Sequence, residues 1–196
     1  KQPVSEFYGA ATEQDYIYIL SRLTFMGNSL YGMKVLHGSI SLKNVGVSLA
    51  MRRLNGANIK TLDPVLKLED SMVNMSQNFK DEQNYVDTIL RYEDDYRAPW
   101  IEASAQMVSQ SPKIYQYEYS YELKEDGYAL YELIMNYIEL NNLGENEHVV
   151  KLMEVFEEQF PDGIESLENA PTGKGLHELV QASLKESGFY KNRILI

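Results

Sequence analysis

Residues 16–62 read YIYILSRLTFMGNSLYGMKVLHGSISLKNVGVSLAMRRLNGANIKTL, and how this stretch folds decides the architecture. Tyr16, Ile19, Leu20, Leu23, Met26, Leu30 and Met33 recur at helical spacing, while Tyr18, Phe25 and Leu36 thicken the stripe onto a second face. A helix that is apolar on most sides is central in its domain. Thr12 and Asp15 resemble a capping arrangement at its start, and His37-Gly38 is its expected stop. Ser39 or Ser41 then caps a second helix, with Leu42, Val45 and Leu49 on one stripe and Val47, Met51 and Leu54 on another. Asn55-Gly56 ends it.

The same stretch lacks any acidic residue. Arg22, Lys34, Lys43, Arg52, Arg53 and Lys60 give it a local charge of +6, whereas residues 63–196 carry -15 within a net -11. Read as two buried helices, its bases fall near helix ends, where a cation interacts favourably with the dipole. Pairing with the acidic remainder is the next reading, and contact with anionic lipid or phosphate the third.

Asp63-Pro64 has the form of a helix start, with Asp as cap and Pro at the first helical position. Val65, Leu66, Leu68, Met72, Val73 and Met75 follow, until the polar run Ser76–Gln83 bends or breaks the helix. Helical spacing resumes with Tyr85, Ile89 and Tyr92. Ala98-Pro99 interrupts, since the residue before proline avoids helical geometry. Pro99 opens a segment with Trp100, Ile101, Ala105 and Met107. Residues 128–140, 149–160 and 176–184 read as further helices, and the apolar tail from Phe189 to Ile196 is expected to pack. Ahead of residue 128, Tyr115, Tyr117, Tyr119 and Tyr121 alternate with polar residues, which is strand-like. Ile114, Tyr117 and Tyr121 also share one face of a helix, the favoured reading, because a lone strand has no partner.

The expected fold is therefore all-α: a single irregular bundle of six or seven helices over residues 12–196, behind a lead-in at residues 1–11. A short β element near 114–122 is left open. Apolar residues at 44% and charged residues at 24% suit a globular chain long enough to bury a core without disulfides or metals. No uncharged apolar run is long enough to span a membrane. With no Cys, cysteine nucleophiles and disulfides are excluded. A chain beginning at Lys1 without Cys points weakly to a bacterial, exported setting, periplasmic or secreted.

Motifs that carry chemistry fail on their own terms. Glu145 and His148 have the spacing of a dinuclear metal helix, but no second Glu-x-x-His exists. His177-Glu178 is followed by Gln181 where a zinc protease helix needs His. Exposed or capping roles are expected for His37, His148 and His177. Gly173-Lys174-Gly175 lacks the upstream Gly and the following Ser or Thr of a phosphate loop. Glu93-Asp94-Asp95 lacks the spaced oxygens and turn glycine of a calcium loop. No cofactor is expected. Asn74-Met75-Ser76 matches a glycosylation acceptor, a pattern too common to inform.

Surface chemistry points to binding. Tyr interleaved with Glu can stack on Arg and pair with it. Tyr115, Tyr117, Glu118, Tyr119, Tyr121 and Glu122, with Glu93, Asp94 and Asp95, are the expected contact residues for a basic protein partner. An inhibitor or immunity-type neutraliser of a toxin is one instance of such a protein. The acidic balance argues against general nucleic-acid binding. Two alternatives stand beside this: a helical sensory or small-ligand domain, with Tyr and Met lining a pocket, and a hydrolase with a dispersed site. No nucleophile–base or metal set can be assembled locally for the last.

Overall fold

The chain is described by a computed structural model at residues 2–3, 12–54, 57–67, 73–74, 82–110 and 123–190. Helices predominate, six of them α-helical among the described residues, and two small antiparallel sheets accompany them. No helix among those residues is long and apolar enough to cross a membrane.

Helix α1 spans Glu13–Met33. Its start is a full capping box: the Asp15 amide donates to Thr12 Oγ1, and the Asp15 carboxylate accepts from the Thr12 amide at 2.8 Å. Asp thus serves where Glu or Gln is usual. Ile17, Ile19, Leu20 and Leu23 have no exposed surface. Full burial of side chains this size is worth about 1.5–3 kcal/mol each, so α1 is the core around which the rest packs. It ends at Met33, four residues short of the expected stop. Lys34 takes the left-handed cap conformation at φ 55, and its ammonium sits 3.9 Å from the Tyr31 ring centroid. Leu36 belongs instead to β2, Val35–Leu36, which pairs with β5, Val73–Asn74.

Residues 45–66 correct the all-α expectation. They form a hairpin, β3 at Val45–Leu54 and β4 at Ala57–Leu66, in register from Val45 opposite Leu66 to Leu54 opposite Ala57. Val45 and Val47 are buried while Gly46 and Ser48 are partly exposed, the period-two pattern of a strand. Asn-Gly between two such runs is the strongest short-range hairpin signal, and here it competes with the same dipeptide's use as a helix stop. Asp63-Pro64 therefore lies inside a strand rather than opening a helix. Pro64 is tolerated opposite Val47 because β4 is an outer strand of its sheet, paired with β3 alone, where a missing amide donor costs little. Strand β1, Gln2–Pro3, flanks β3 on its other side. Arg52 and Arg53 accordingly stand in β3, not at a helix end.

Helix α2 covers Glu82–Ile89, a 3-10 turn covers Asp94–Tyr96, and α3 runs Ile101–Gln110 just past Pro99. Helix α4, Lys124–Leu140, starts one turn before the expected Tyr128. Helix α5 is Glu147–Gln159, capped by Asn146, and α6 is Gly173–Glu186, capped by Thr172.

Helices α1 and α6 pack antiparallel, and at their crossing the backbones touch. A Cβ on Gly173 would lie 2.5 Å from the Gly27 carbonyl oxygen and 2.7 Å from its carbon. Only glycine permits that approach.

Candidate functional site

The strip from Tyr115 to Glu122, with the strand-or-helix question it raised, lies outside the described residues, as does the tail at 191–196. The acidic run Glu93-Asp94-Asp95 leads into the 3-10 turn. Glu93 is engaged within the chain: its carboxylate accepts from Lys43 Nζ at 2.7 Å and Ser41 Oγ at 3.2 Å. Asp94 pairs with Arg97 at 3.6 Å, and Asp95 is exposed. Lys43 and Arg22, which faces Asp63 at 3.4 Å, show that two of the six bases in the acid-free stretch pair with acids beyond it.

A buried polar cluster lies at the start of α4. Asp126 accepts the His37 amide at 2.7 Å, the Gly38 amide at 3.1 Å and the Tyr92 hydroxyl. Burial pushes the Asp126 carboxyl up, opposed by its hydrogen bonds from His37 and Tyr92; burial and the adjacent Asp126 push the Tyr92 hydroxyl well up. His37 is itself fully buried, which corrects its expected exposed role. Its Nε2 contacts the Lys67 carbonyl at 2.8 Å, and the Ser39 amide donates to its Nδ1 at 3.2 Å. An acceptor at Nδ1 fixes the proton on Nε2. Asp126 thus ties the turn after β2 and the segment after α2 to the start of α4, and its hydrogen bonds satisfy a buried carboxylate.

The open site lies between α1 and α6. Tyr18, Ser21, Arg22 and Phe25 from α1, His177 and Gln181 from α6, and Tyr190 line a cleft of about 390 Å³. The helix register builds it. Gly27 meets Gly173, Thr24 meets His177 and Ser21 meets Gln181, one contact per turn of each helix. The Thr24 hydroxyl donates to the Ser21 carbonyl at 2.8 Å, so its oxygen accepts from His177 Nδ1 at 3.0 Å. That places the proton on Nδ1 and a lone pair on Nε2. Burial holds His177 below its ordinary value; Glu178 opposes this and Arg22 adds to it. The neutral ring stands edge-on to Phe25, with centroids 5.8 Å apart.

Gln181 is fixed at both ends, donating to the Ser21 carbonyl at 3.1 Å and accepting the Tyr190 hydroxyl at 2.6 Å. Arg22 lies with its guanidinium carbon 4.5 Å from the Phe25 centroid and its Nε edge toward Asp63. Phe25 is 43% exposed, so the cleft keeps an uncovered aromatic surface. Thr24 is not a nucleophile for His177: it has no exposed surface, and its proton is committed to a carbonyl. The pair positions the imidazole.

In the sequence, His177 and Gln181 enter through a zinc motif that fails, Tyr18 and Phe25 through the apolar stripe and Arg22 through the basic stretch, and none of these readings joins them, or Tyr190, into one site. A sequence signal existed. Tyr18, Ser21, Arg22 and Phe25 recur at three- and four-residue spacing, an aromatic and polar face on a helix otherwise apolar. Among the described residues, no group of three or more His, Asp or Glu is placed to hold a metal ion. No protein-family model matches the sequence, and comparison with curated proteins and with solved structures yields no match.

Proposed function

We propose that this protein is a non-enzymatic binding module that takes a small organic ligand in the α1–α6 cleft. The observation that carries the reading is the held state of the lining: His177 is oriented by Thr24, and Gln181 by Ser21 and Tyr190, around an exposed Phe25. Ligand sites combine an apolar surface with a few fixed polar groups, and prior ordering reduces the entropy lost on binding. A thermal-shift screen of metabolites and fragments, with hits mapped by NMR, tests it. Hits should perturb α1 and α6 resonances and weaken in Phe25→Ala, which removes a ring outside the buried core. Hits that map elsewhere, or that ignore this substitution, refute the assignment.

A second reading is the docking of a basic protein partner, as for an inhibitor or immunity-type neutraliser. Its specific support is the acidic face around α5. Eight acids from Glu145 to Glu168 are exposed, with Lys151 the one Lys or Arg among them. Glu93, Asp94, Asp95 and the strip Tyr115, Tyr117, Glu118, Tyr119, Tyr121 and Glu122 offer further chemistry of the same kind, although Glu93 would first have to leave Lys43. Anionic surfaces speed and orient encounters with basic partners, and such binding weakens with salt. Capture of a basic protein with salt-independent affinity would count against this reading.

A further inference from the structure

Resting on the reading of the cleft as a ligand site, we infer that its ligand is a flat aromatic carboxylate carrying a hydrogen-bond donor on the ring. The carboxylate would meet the terminal amino groups of Arg22, the ring would lie against Phe25, and the donor would meet His177 Nε2.

Three features of the lining select this class. Arg22 turns its Nε edge to Asp63 at 3.4 Å, and its side chain keeps 25% of its surface exposed. The guanidinium has two terminal amino groups besides that edge, a fork that matches the two oxygens of a carboxylate. Asp63 and Phe25 together hold the group in one orientation, so little freedom is lost when an anion arrives.

His177 supplies the opposite chemistry. Thr24 fixes its proton on Nδ1, so Nε2 offers a lone pair and calls for a donor. Both groups stand against the same Phe25 ring, the guanidinium over its face and the imidazole at 73° to it. A ligand reaching both therefore crosses an exposed aromatic surface, which favours a flat ring. Gln181 is neutral and held at both ends by Ser21 and Tyr190, so it does not supply the charge that Arg22 does.

The experiment is an NMR titration of the full chain with para-hydroxybenzoate, its uncharged amide para-hydroxybenzamide, and benzoate, which keeps the charge but lacks the donor. The hydroxy acid should perturb α1 and α6 resonances and bind at least about tenfold tighter than the amide, the size of one charge-assisted hydrogen bond. Arg22→Gln should bring the acid down to the amide's level, and Arg22→Lys, which keeps the charge without the fork, should fall between. His177→Phe should erase the advantage over benzoate. Equal affinity for acid and amide, or discrimination that survives Arg22→Gln, overturns the ligand class. So does a fragment library whose cleft hits are mainly neutral or cationic. In each of these cases the cleft remains a ligand site. If neither the three probes nor the library perturbs the cleft, both proposals fall. Should Arg22→Gln not fold, the acid-to-amide ratio on the unaltered protein decides.

Discussion

Replacing Gly173 by alanine sets a methyl group 2.5 Å from the Gly27 carbonyl oxygen, 2.7 Å from its carbon and 3.1 Å from its Cα. All three obstacles are backbone atoms in the middle of α1, so relief requires the two helices to separate. Overpacking of this kind costs about 1–3 kcal/mol. Alanine's higher helix propensity returns little at Gly173, the first residue of α6. Gly27→Ala provides the internal comparison. Its methyl would collide with the Leu130 side-chain tip, while the nearest other atom, Gly173 Cα, is 3.4 Å away. A side-chain tip can rotate aside, and a mid-helix alanine recovers about 1 kcal/mol. The expected net loss for Gly27→Ala is therefore under about 1 kcal/mol. Gly32→Ala, with nothing within 4 Å, should gain up to about 1 kcal/mol. Urea unfolding followed by far-ultraviolet circular dichroism ranks the three. At about 2–4 °C per kcal/mol for a chain of this size, thermal melts should show the same order. A Gly173→Ala protein as stable as the original, or no less stable than Gly27→Ala, would refute the backbone contact.

Asp126→Ala strands two buried amides and the Tyr92 hydroxyl and should cost about 3–5 kcal/mol by urea unfolding, against about 1–2 kcal/mol for Tyr92→Phe. Similar costs for the two would mean that the carboxylate is not the hub. Long-range ¹H–¹⁵N spectra at neutral pH should show opposite tautomers, Nε2–H for His37 and Nδ1–H for His177; like tautomers would contradict one of the two networks. Because His177 is held below its ordinary value, the unfolded chain takes up that proton first. Its contribution is complete above about pH 6.5 and is lost as pH falls through the lower folded value. The stability advantage of the unaltered protein over His177→Gln should therefore shrink between about pH 7.5 and about pH 5.5. An advantage that grows on acidification reverses the sign and sinks the assignment.

The helices were largely legible because their signals are local. The Thr12 box, the stripe from Tyr16 to Met33, the break at Pro99 and the runs within α4 and α5 need no knowledge of the rest of the chain. Residues 45–66 carry both patterns: Val45, Val47, Leu49 and Met51 alternate as in a strand, while Val45 with Leu49, and Val47 with Met51 and Leu54, also fall at helical spacing. Two local signals then conflicted: Asn55-Gly56 serves as helix stop or hairpin turn, and Asp63-Pro64 as helix start or outer-strand residues. What chose between them is nonlocal, the pairing of Val45 with Leu66 across the whole hairpin. The cleft was hidden for a related reason. Thr24 and His177 stand 153 positions apart, and nothing in either neighbourhood says that the two helices meet. His37 shows the same limit, since its burial depends on Lys67 and on the chain's arrival at Asp126.

The touching glycines also govern how the cleft can move. Where two backbones are already in contact, the helices cannot draw closer, and relative motion pivots there like a pair of tongs. Gln181 lies eight residues along α6 from Gly173, about 12 Å at 1.5 Å per residue, so a tilt of about 5° displaces it by only about 1 Å. Thr24 and His177, one turn from the pivot, move about half as far or less. The imidazole moves little, and the cleft would change its width most at the Tyr18 end, nine residues from Gly27.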